Sequence, residues 1–258
     1  MILKRPSEIE IMAEAGELLH QVHDLIAAEV RPGVSTARLN EVAERAILKF
    51  GARPAFLGYN GFPASINASI NEVVVHGIPG PRRLEDGDII SVDCGLVYRG
   101  FVADSARTYA VGNVSDTAKR LIGTTAAALE VGIAACRPGN RLGDVSNAIQ
   151  RVVEAAGFSV VREFVGHGVG RTMHEDPQVP NWGRPGKGPV LKPGLVLALE
   201  PMVTVGRTAV DVLDDGWTAV TRDGSLSAQI EHTVAITEAG PRVLTGPRKA
   251  PATATGVQ

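Results

Sequence analysis

The chain has 258 residues, 44% hydrophobic and 21% charged, with 26 basic against 28 acidic side chains. Low hydrophobicity with high net charge marks a disordered chain, and this one has neither, so it is expected to bury a core as one large domain or two fused halves. The near balance of charge argues against nucleic acid held through bulk charge. Two cysteines, Cys94 and Cys136, build neither a disulfide framework nor a cysteine zinc knuckle and are expected as reduced, buried thiols.

The start, Met1-Ile2-Leu3-Lys4-Arg5-Pro6, lacks the apolar stretch of about 7–15 residues that a secretory signal needs, and no later run nears the roughly 20 of a bilayer span. A cytoplasmic protein without a membrane partner is expected. Ser7 then opens a helical pattern (Ile9, Met12, Leu18, Leu19, Val22, Ile26), with Glu10 placed as in a capping box, and Arg31-Pro32-Gly33 stops it. A second amphipathic helix follows and closes at Gly51. Strands are expected at Val73 to Val75, over the apolar run ending at Asp93, and from Phe101 to Ala110. Arg137-Pro138-Gly139 opens another helix, closed by Gly157, and further strands are expected at Val160 to Val165, Leu195 to Val205 and Ile230 to Thr237. The tail from Gly246 to Gln258 has no periodicity and is expected to be mobile.

A shift of 106 residues superposes Arg31-Pro32-Gly33 on Arg137-Pro138-Gly139, Arg45 on Arg151 and Gly51 on Gly157. At a shift of 107, the strand ending in Asp93 falls on the one ending in Glu200. This pattern predicts an internal duplication: pseudo-symmetric halves of about 1–110 and 111–245 within one domain, 1–245, with a flexible tail over 246–258. The fold class expected is α+β, antiparallel sheet with helices on one side. If the halves face each other, Asp93 and Glu200 meet at the centre.

A hairpin centred between Tyr98 and Arg99 would set Asp93 directly opposite Asp104, where two carboxylates repel unless a cation or a proton intervenes. Glu200 ends an apolar run and Glu231 interrupts another. His167 stands between glycines in Gly166-His167-Gly168-Val169-Gly170, which leaves the imidazole uncrowded. Taken singly, each acid reads equally well as a solvated strand face, and His76, His167 and His174 as structural histidines. Together, four acids and one imidazole form a hard, oxygen-rich donor set suited to paired divalent ions that activate water. A serine elbow, a cysteine–histidine nucleophile and a phosphate loop are all missing from the sequence.

The ordered motifs Gly58-Tyr59-Asn60-Gly61-Phe62-Pro63, Ser69-Ile70-Asn71-Glu72 with His76-Gly77-Ile78-Pro79, Gly166-His167-Gly168-Val169-Gly170, His174-Glu175, Glu200-Pro201-Met202 and Ser227 to Thr233 resemble the type I methionine aminopeptidases of the pita-bread fold, from about Ile2 to Thr245. The resemblance implies that Asp93, Asp104, His167, Glu200 and Glu231 hold two divalent ions, Co, Mn, Fe, Zn or Ni, with Asp104 and Glu231 touching both. It implies that Glu200 relays the proton of a bridging water, His76 steadies the scissile amide or departing nitrogen, and His174 hydrogen-bonds the carbonyl oxygen. It places Tyr59, Phe62, Asn67, Met173 and Trp217 around the methionine side chain. Asn60 stands where many relatives carry histidine, Asn67 where some carry cysteine and Met173 where phenylalanine is frequent, which bears on fine specificity.

The implied substrate is the N-terminus of a nascent polypeptide with a small second residue, so Ile2 predicts that this protein keeps its own Met1. No zinc-finger or proline-rich extension suggests a docking arm, leaving at most transient ribosome association and a monomer as the expectation. Two alternatives stay open: a prolidase or aminopeptidase P relative, which usually carries a further N-terminal domain, and a metal-free pita-bread binding protein.

Overall fold

The computed structural model describes residues 1–247, so the expected mobile tail lies, from residue 248 on, outside the described residues. The helices are α1 (Pro6–Glu29), α2 (Thr36–Lys49), α3 (Asp116–Ala135) and α4 (Leu142–Ala155). The strands in chain order are β1 (Arg53–Pro54), β2 (Ile66–Ile70), β3 (Val73–Val75), β4 (Ile89–Tyr98), β5 (Phe101–Ala110), β6 (Ser159–Val160), β7 (Gly166–Gly168), β8 (Glu175–Val179), β9 (Val196–Leu199), β10 (Met202–Thr204), β11 (Val210–Val212), β12 (Ala219–Thr221), β13 (Ser227–Gln229), β14 (His232–Thr237) and β15 (Gly240–Val243). The pairings described are antiparallel throughout. No helix is long and apolar enough to cross a membrane among the described residues.

Two helix pairs cover two sheets, each through an apolar stripe at three- and four-residue steps. Leu39, Ala43 and Ile47 of α2 join Leu19, Val22 and Ile26 of α1 over Ile90, Val92, Cys94 and Leu96 of β4. Val145, Ile149 and Val153 of α4 join Leu121 and Leu129 of α3 over Leu197 and Leu199 of β9 and Val234 and Ile236 of β14. Strand residues alternate faces, so Ser91 and Asp93 point away from the first core, and Thr233 and Ala235 away from the second. These inner faces meet: Glu231 N–H donates to the Ala106 carbonyl at 2.9 Å, and Thr108 Oγ1 donates to the Gln229 carbonyl at 2.7 Å.

The sequence repeat has a backbone counterpart. Gly33 N–H donates to the Leu84 carbonyl at 2.7 Å and Leu84 N–H to the Val34 carbonyl at 2.8 Å; Gly139 donates to Leu191 at 3.1 Å and Leu191 to Asn140 at 2.8 Å. Gly33 and Gly139 adopt φ of +88° and +87°, a region that an L side chain rarely enters. Both α2 and α4 have 14 residues.

Several local expectations are corrected. Helix α1 begins at Pro6 with Arg5, not Ser7, as its N-cap; proline suits the first helical position, and Glu8, not Glu10, accepts the Arg5 N–H at 2.9 Å. The β4–β5 hairpin turns on Arg99 and Gly100, with φ of +49° and +81°, the two-residue arrangement that follows strand twist. Its register pairs Gly95 with Asp104 and Asp93 with Ala106. Asp93 and Asp104 are therefore diagonal neighbours on one face, a spacing of about 7–8 Å between Cα atoms, rather than direct opposites. The strand expected over Val160 to Val165 ends at Val160, that over Leu195 to Val205 breaks at Glu200-Pro201, and that near Ile230 breaks at Ile230-Glu231.

Candidate active site

Asp93 and Asp104 lie within the regularly paired β4–β5 hairpin, whereas His167, Glu200 and Glu231 sit where regular pairing ends or glycine lets strands close in. His167 lies at the centre of β7, between β8 and β9; a Cβ at Gly166 would run into the Ala198 carbonyl and one at Gly168 into that of Asp176. The His167 Nδ1–H donates to the Gly168 carbonyl at 2.9 Å, which turns the Nε2 lone pair toward the acids. Nε2 is 3.6 Å from Asp104 Oδ2 and 3.6 Å from Glu200 Oε1. Asp104, His167 and Glu231 each offer a ligand atom within 4.8 Å of the others. Glu231 is only 1% exposed and Asp104 4%, so the solvated-face reading of these acids does not hold.

The acids are individually oriented. Asn67 Nδ2 donates to Asp93 Oδ2 at 3.1 Å, across the β2–β4 register that pairs the two residues. Gln229 Nε2 donates to Glu200 Oε2 at 3.2 Å and Asn181 Nδ2 to the Glu200 carbonyl at 3.0 Å. Thr233 Oγ1 donates to the Asp104 carbonyl at 2.8 Å and accepts its N–H at 3.2 Å. Still, Asp93 Oδ1, Asp104 Oδ1 and Glu231 Oε1 are buried without a hydrogen-bond partner among the described residues. No lysine or arginine lines the cavity among the described residues.

Burial pushes the Asp93 carboxyl up to about 7, opposed by the Asn67 amide. Asp104, Glu200 and Glu231 are raised well above the carboxylate range, first by burial and then by their neighbours' like charge. Burial lowers His167 to about 4, leaving its imidazole neutral and able to ligate. Unpartnered buried oxygens, clustered acids and a neutral imidazole form a donor set that fits divalent cations.

A cavity of about 210 Å³ opens over this cluster and is lined by all twelve of the residues singled out from the sequence. Phe56 and Asn60 line it too; Phe56 lies outside the quoted motifs and carried no signal. Phe62 meets Trp217 edge to face at 5.1 Å. Asp215 Oδ1 fixes the Trp217 turn by accepting the N–H groups of Trp217 and Thr218, each at 2.8 Å. His76 adopts φ of +62°, sparsely populated for an L residue, and its ring stands edge-on to Phe164 at 5.4 Å. His174 lies 4.3 Å from His167 between ring centroids, and its Nδ1 is 2.7 Å from the Tyr59 hydroxyl. Burial lowers both His76 and His174, which are neutral at neutral pH. A larger hollow of about 640 Å³, bordered by Ala13, Glu17, Arg242 and Pro247, touches none of the twelve.

The roles of Gln229 and Thr233 as orienting groups were not read from the sequence, although both fall in a quoted motif. Nor was the buried ion pair of Lys4 with Glu175, at 2.5 Å, beside His174.

Four acids and a histidine around a cavity in duplicated antiparallel sheets define a metal-dependent hydrolase of pita-bread architecture. The chain belongs to the metallopeptidase family M24, whose profile matches residues 10–238. It is 54% identical to the methionine aminopeptidase of Clostridium perfringens over 245 residues, 95% of this chain and 98% of that protein. The crystal structure of the Thermotoga maritima methionine aminopeptidase superposes with a TM-score of 0.94 at 46% identity, covering 95% of this chain and 99% of that one. The prolidase of Pyrococcus horikoshii, at 23% identity and a TM-score of 0.75, shares the fold over 96% of this chain but only 64% of its own.

Proposed function

We propose that this chain is a methionine aminopeptidase that removes the N-terminal methionine of nascent polypeptides whose second residue is small. The observation that carries the reading is the convergence of Asp93, Asp104, His167, Glu200 and Glu231, with unpartnered buried oxygens, beside an aromatic recess in one cavity. These five side chains would hold two divalent ions, Co, Mn, Fe, Zn or Ni. Ions bound there would ionise water near neutral pH and polarise the scissile carbonyl.

The protein's own groups supply the rest. Glu200, steadied by Gln229, takes and returns the proton of the attacking water. His174 donates a hydrogen bond to the carbonyl oxygen as negative charge develops, a contact that strengthens in the transition state. His76, neutral and held by its backbone, faces the amide nitrogen that departs as the new N-terminus. Phe56, Tyr59, Phe62, Met173 and Trp217 wrap the flexible, polarisable methionine side chain. The chain works as one domain over 1–245, built from halves of about 1–110 and 111–245. It acts in the cytoplasm as a monomer that touches the ribosome only transiently.

Titrating metal-free protein with Mn or Co against a Met-Ala-Ser peptide tests the reading. Release of methionine that appears with metal, and falls sharply for Met-Leu-Ser, is expected. Hydrolysis of an Ala-Pro dipeptide in its place would support the prolidase alternative, and no turnover with any of the five metals a binding protein.

A further inference from the structure

Tyr59 belongs to the recess wall by its ring, but its hydroxyl lies 2.7 Å from Nδ1 of His174, with the ring centroids 5.5 Å apart. The turn that delivers it is closed on itself. Tyr59 N–H donates to the Phe56 carbonyl at 2.9 Å, Phe62 N–H to the Tyr59 carbonyl at 2.9 Å, and Gly58 N–H to the Phe62 carbonyl at 2.8 Å. Asn60, at its apex, adopts φ of +49°. On the far side, the residue after His174 is anchored in the interior: Glu175 pairs with Lys4 and accepts the Arg171 N–H at 3.0 Å. The imidazole is thus gripped through Nδ1 from one side and through its backbone from the other. Among the described residues Nε2 has no hydrogen-bond partner and is the ring nitrogen left to meet a ligand.

A neutral imidazole carries one N–H and one in-plane lone pair, and the partner of one nitrogen decides the state of the other. A phenol oxygen shares its lone pair with the ring and donates more readily than it accepts, whereas the bare imidazole nitrogen is a strong acceptor. The hydrogen bond therefore runs from Tyr59 O–H to Nδ1, which puts the His174 proton on Nε2. We propose that Tyr59 is a positioning residue that locks His174 in the Nε2–H tautomer, so that a reacting carbonyl oxygen meets a donor and not a lone pair. This rests on the reading of His174 as the carbonyl's partner. The opposite tautomer would set a lone pair against the developing negative charge, a penalty of the kind that follows when a catalytic histidine loses its orienting partner.

The test is ¹⁵N NMR of the imidazoles in the full chain, metal-free and zinc-loaded, for wild type and Tyr59→Phe, together with kcat and KM on Met-Ala-Ser. Tyr59→Phe keeps the ring of the recess wall and removes only the hydroxyl. The wild-type spectrum should give His174 a protonated Nε2 and a hydrogen-bonded, unprotonated Nδ1. Tyr59→Phe should lose the Nδ1 hydrogen-bond shift, lower kcat about tenfold or more and leave KM within about twofold. A wild-type His174 protonated on Nδ1 would overturn the proposal without any variant, as would an Nδ1 shift unchanged in Tyr59→Phe. Loss of that shift with kcat intact would uphold the grip of Tyr59 and instead overturn the role given to His174.

Discussion

The hairpin β4–β5 and the group β7, β9 and β14 contribute to one cavity in opposite ways. The hairpin presents Asp93 and Asp104 on one face of two unbroken ten-residue strands, so their relation is fixed locally by a two-residue turn. His167, Glu200 and Glu231 come from short strands or the breaks between them, and distant segments must dock before they meet. The seam between the hairpin and the second half joins the Glu231 N–H to the Ala106 carbonyl and also uses hydroxyls. Thr233 bridges both backbone groups of Asp104, and Ser91 and Thr108 both receive the Gln229 N–H, at 3.1 and 3.2 Å. One region brings a preset pair of acids, and the other is set by how well the seam closes.

Substitutions can break this comparison. The largest effect is expected for Asp104→Asn, which removes a charge facing both His167 and Glu231: turnover should fall to background, with bound metal lost by elemental analysis. Preserved turnover with metal bound would contradict its place in the centre. Next comes Lys4→Met, which strands the buried Glu175 carboxylate beside His174 and should cost about 3–5 kcal/mol in denaturant unfolding. Adding Glu175→Leu should recover much of that cost.

Thr233→Val keeps the shape of the seam but strips both Asp104 partners. It should cost about 1–3 kcal/mol and weaken metal binding in calorimetry, whereas a seam of no consequence would leave both unchanged. Asn67→Ala and Gln229→Ala, which free Asp93 and Glu200, should each weaken metal binding about 10–100-fold.

The smallest effect is a slope with pH. The buried acids of the metal-free native protein keep protons that the unfolded chain has already released, so their contribution to stability is whole below the unfolded pKa and lost as pH rises through the native one. For Asp93 that window runs from 3.8 to about 7, and Asp104, Glu200 and Glu231, also raised well above the carboxylate range, act in the same direction. His23, held at about 3, and His167 and His232, at about 4, act in the other direction, but only below their ordinary value of 6.5. Above 6.5 the histidines no longer oppose the acids, so the melting temperature of metal-free protein should fall as pH rises from 6.5 through about 7 and metal should restore it. A melting temperature that rose over that interval without metal would contradict the protonated cluster.

What the sequence revealed follows the same division. Residue identity and order mark Asp93, Asp104, His167, Glu200 and Glu231, because their chemistry is unusual where they stand, whereas Tyr59, Phe62, Asn67, Met173 and Trp217 follow only from the motif resemblance. A carboxylate closing an apolar run, as at Glu200, and an imidazole between glycines, as at His167, are conspicuous on the page. The hairpin was off by one residue because Arg99 in a left-handed conformation leaves no mark comparable to glycine or asparagine. The strand breaks at Glu200 and Glu231 look like continuous strand in the sequence, since apolar residues run on either side of them. Long-range polar contacts left no trace at all: the Tyr59 hydroxyl on His174, the Lys4–Glu175 pair and the Gln229 amide on Glu200 join residues far apart in the chain.

The central claim is that five side chains from these two regions hold a pair of divalent ions that the catalysis requires. Isothermal titration of metal-free protein with Mn, with methionine release from Met-Ala-Ser followed in the same samples, tests it most directly. The account predicts two binding events per chain, both weakened in Glu231→Gln, with activity rising as the sites fill. Full activity before any metal is added to protein verified metal-free, or undiminished binding of both ions in Glu231→Gln, would contradict it.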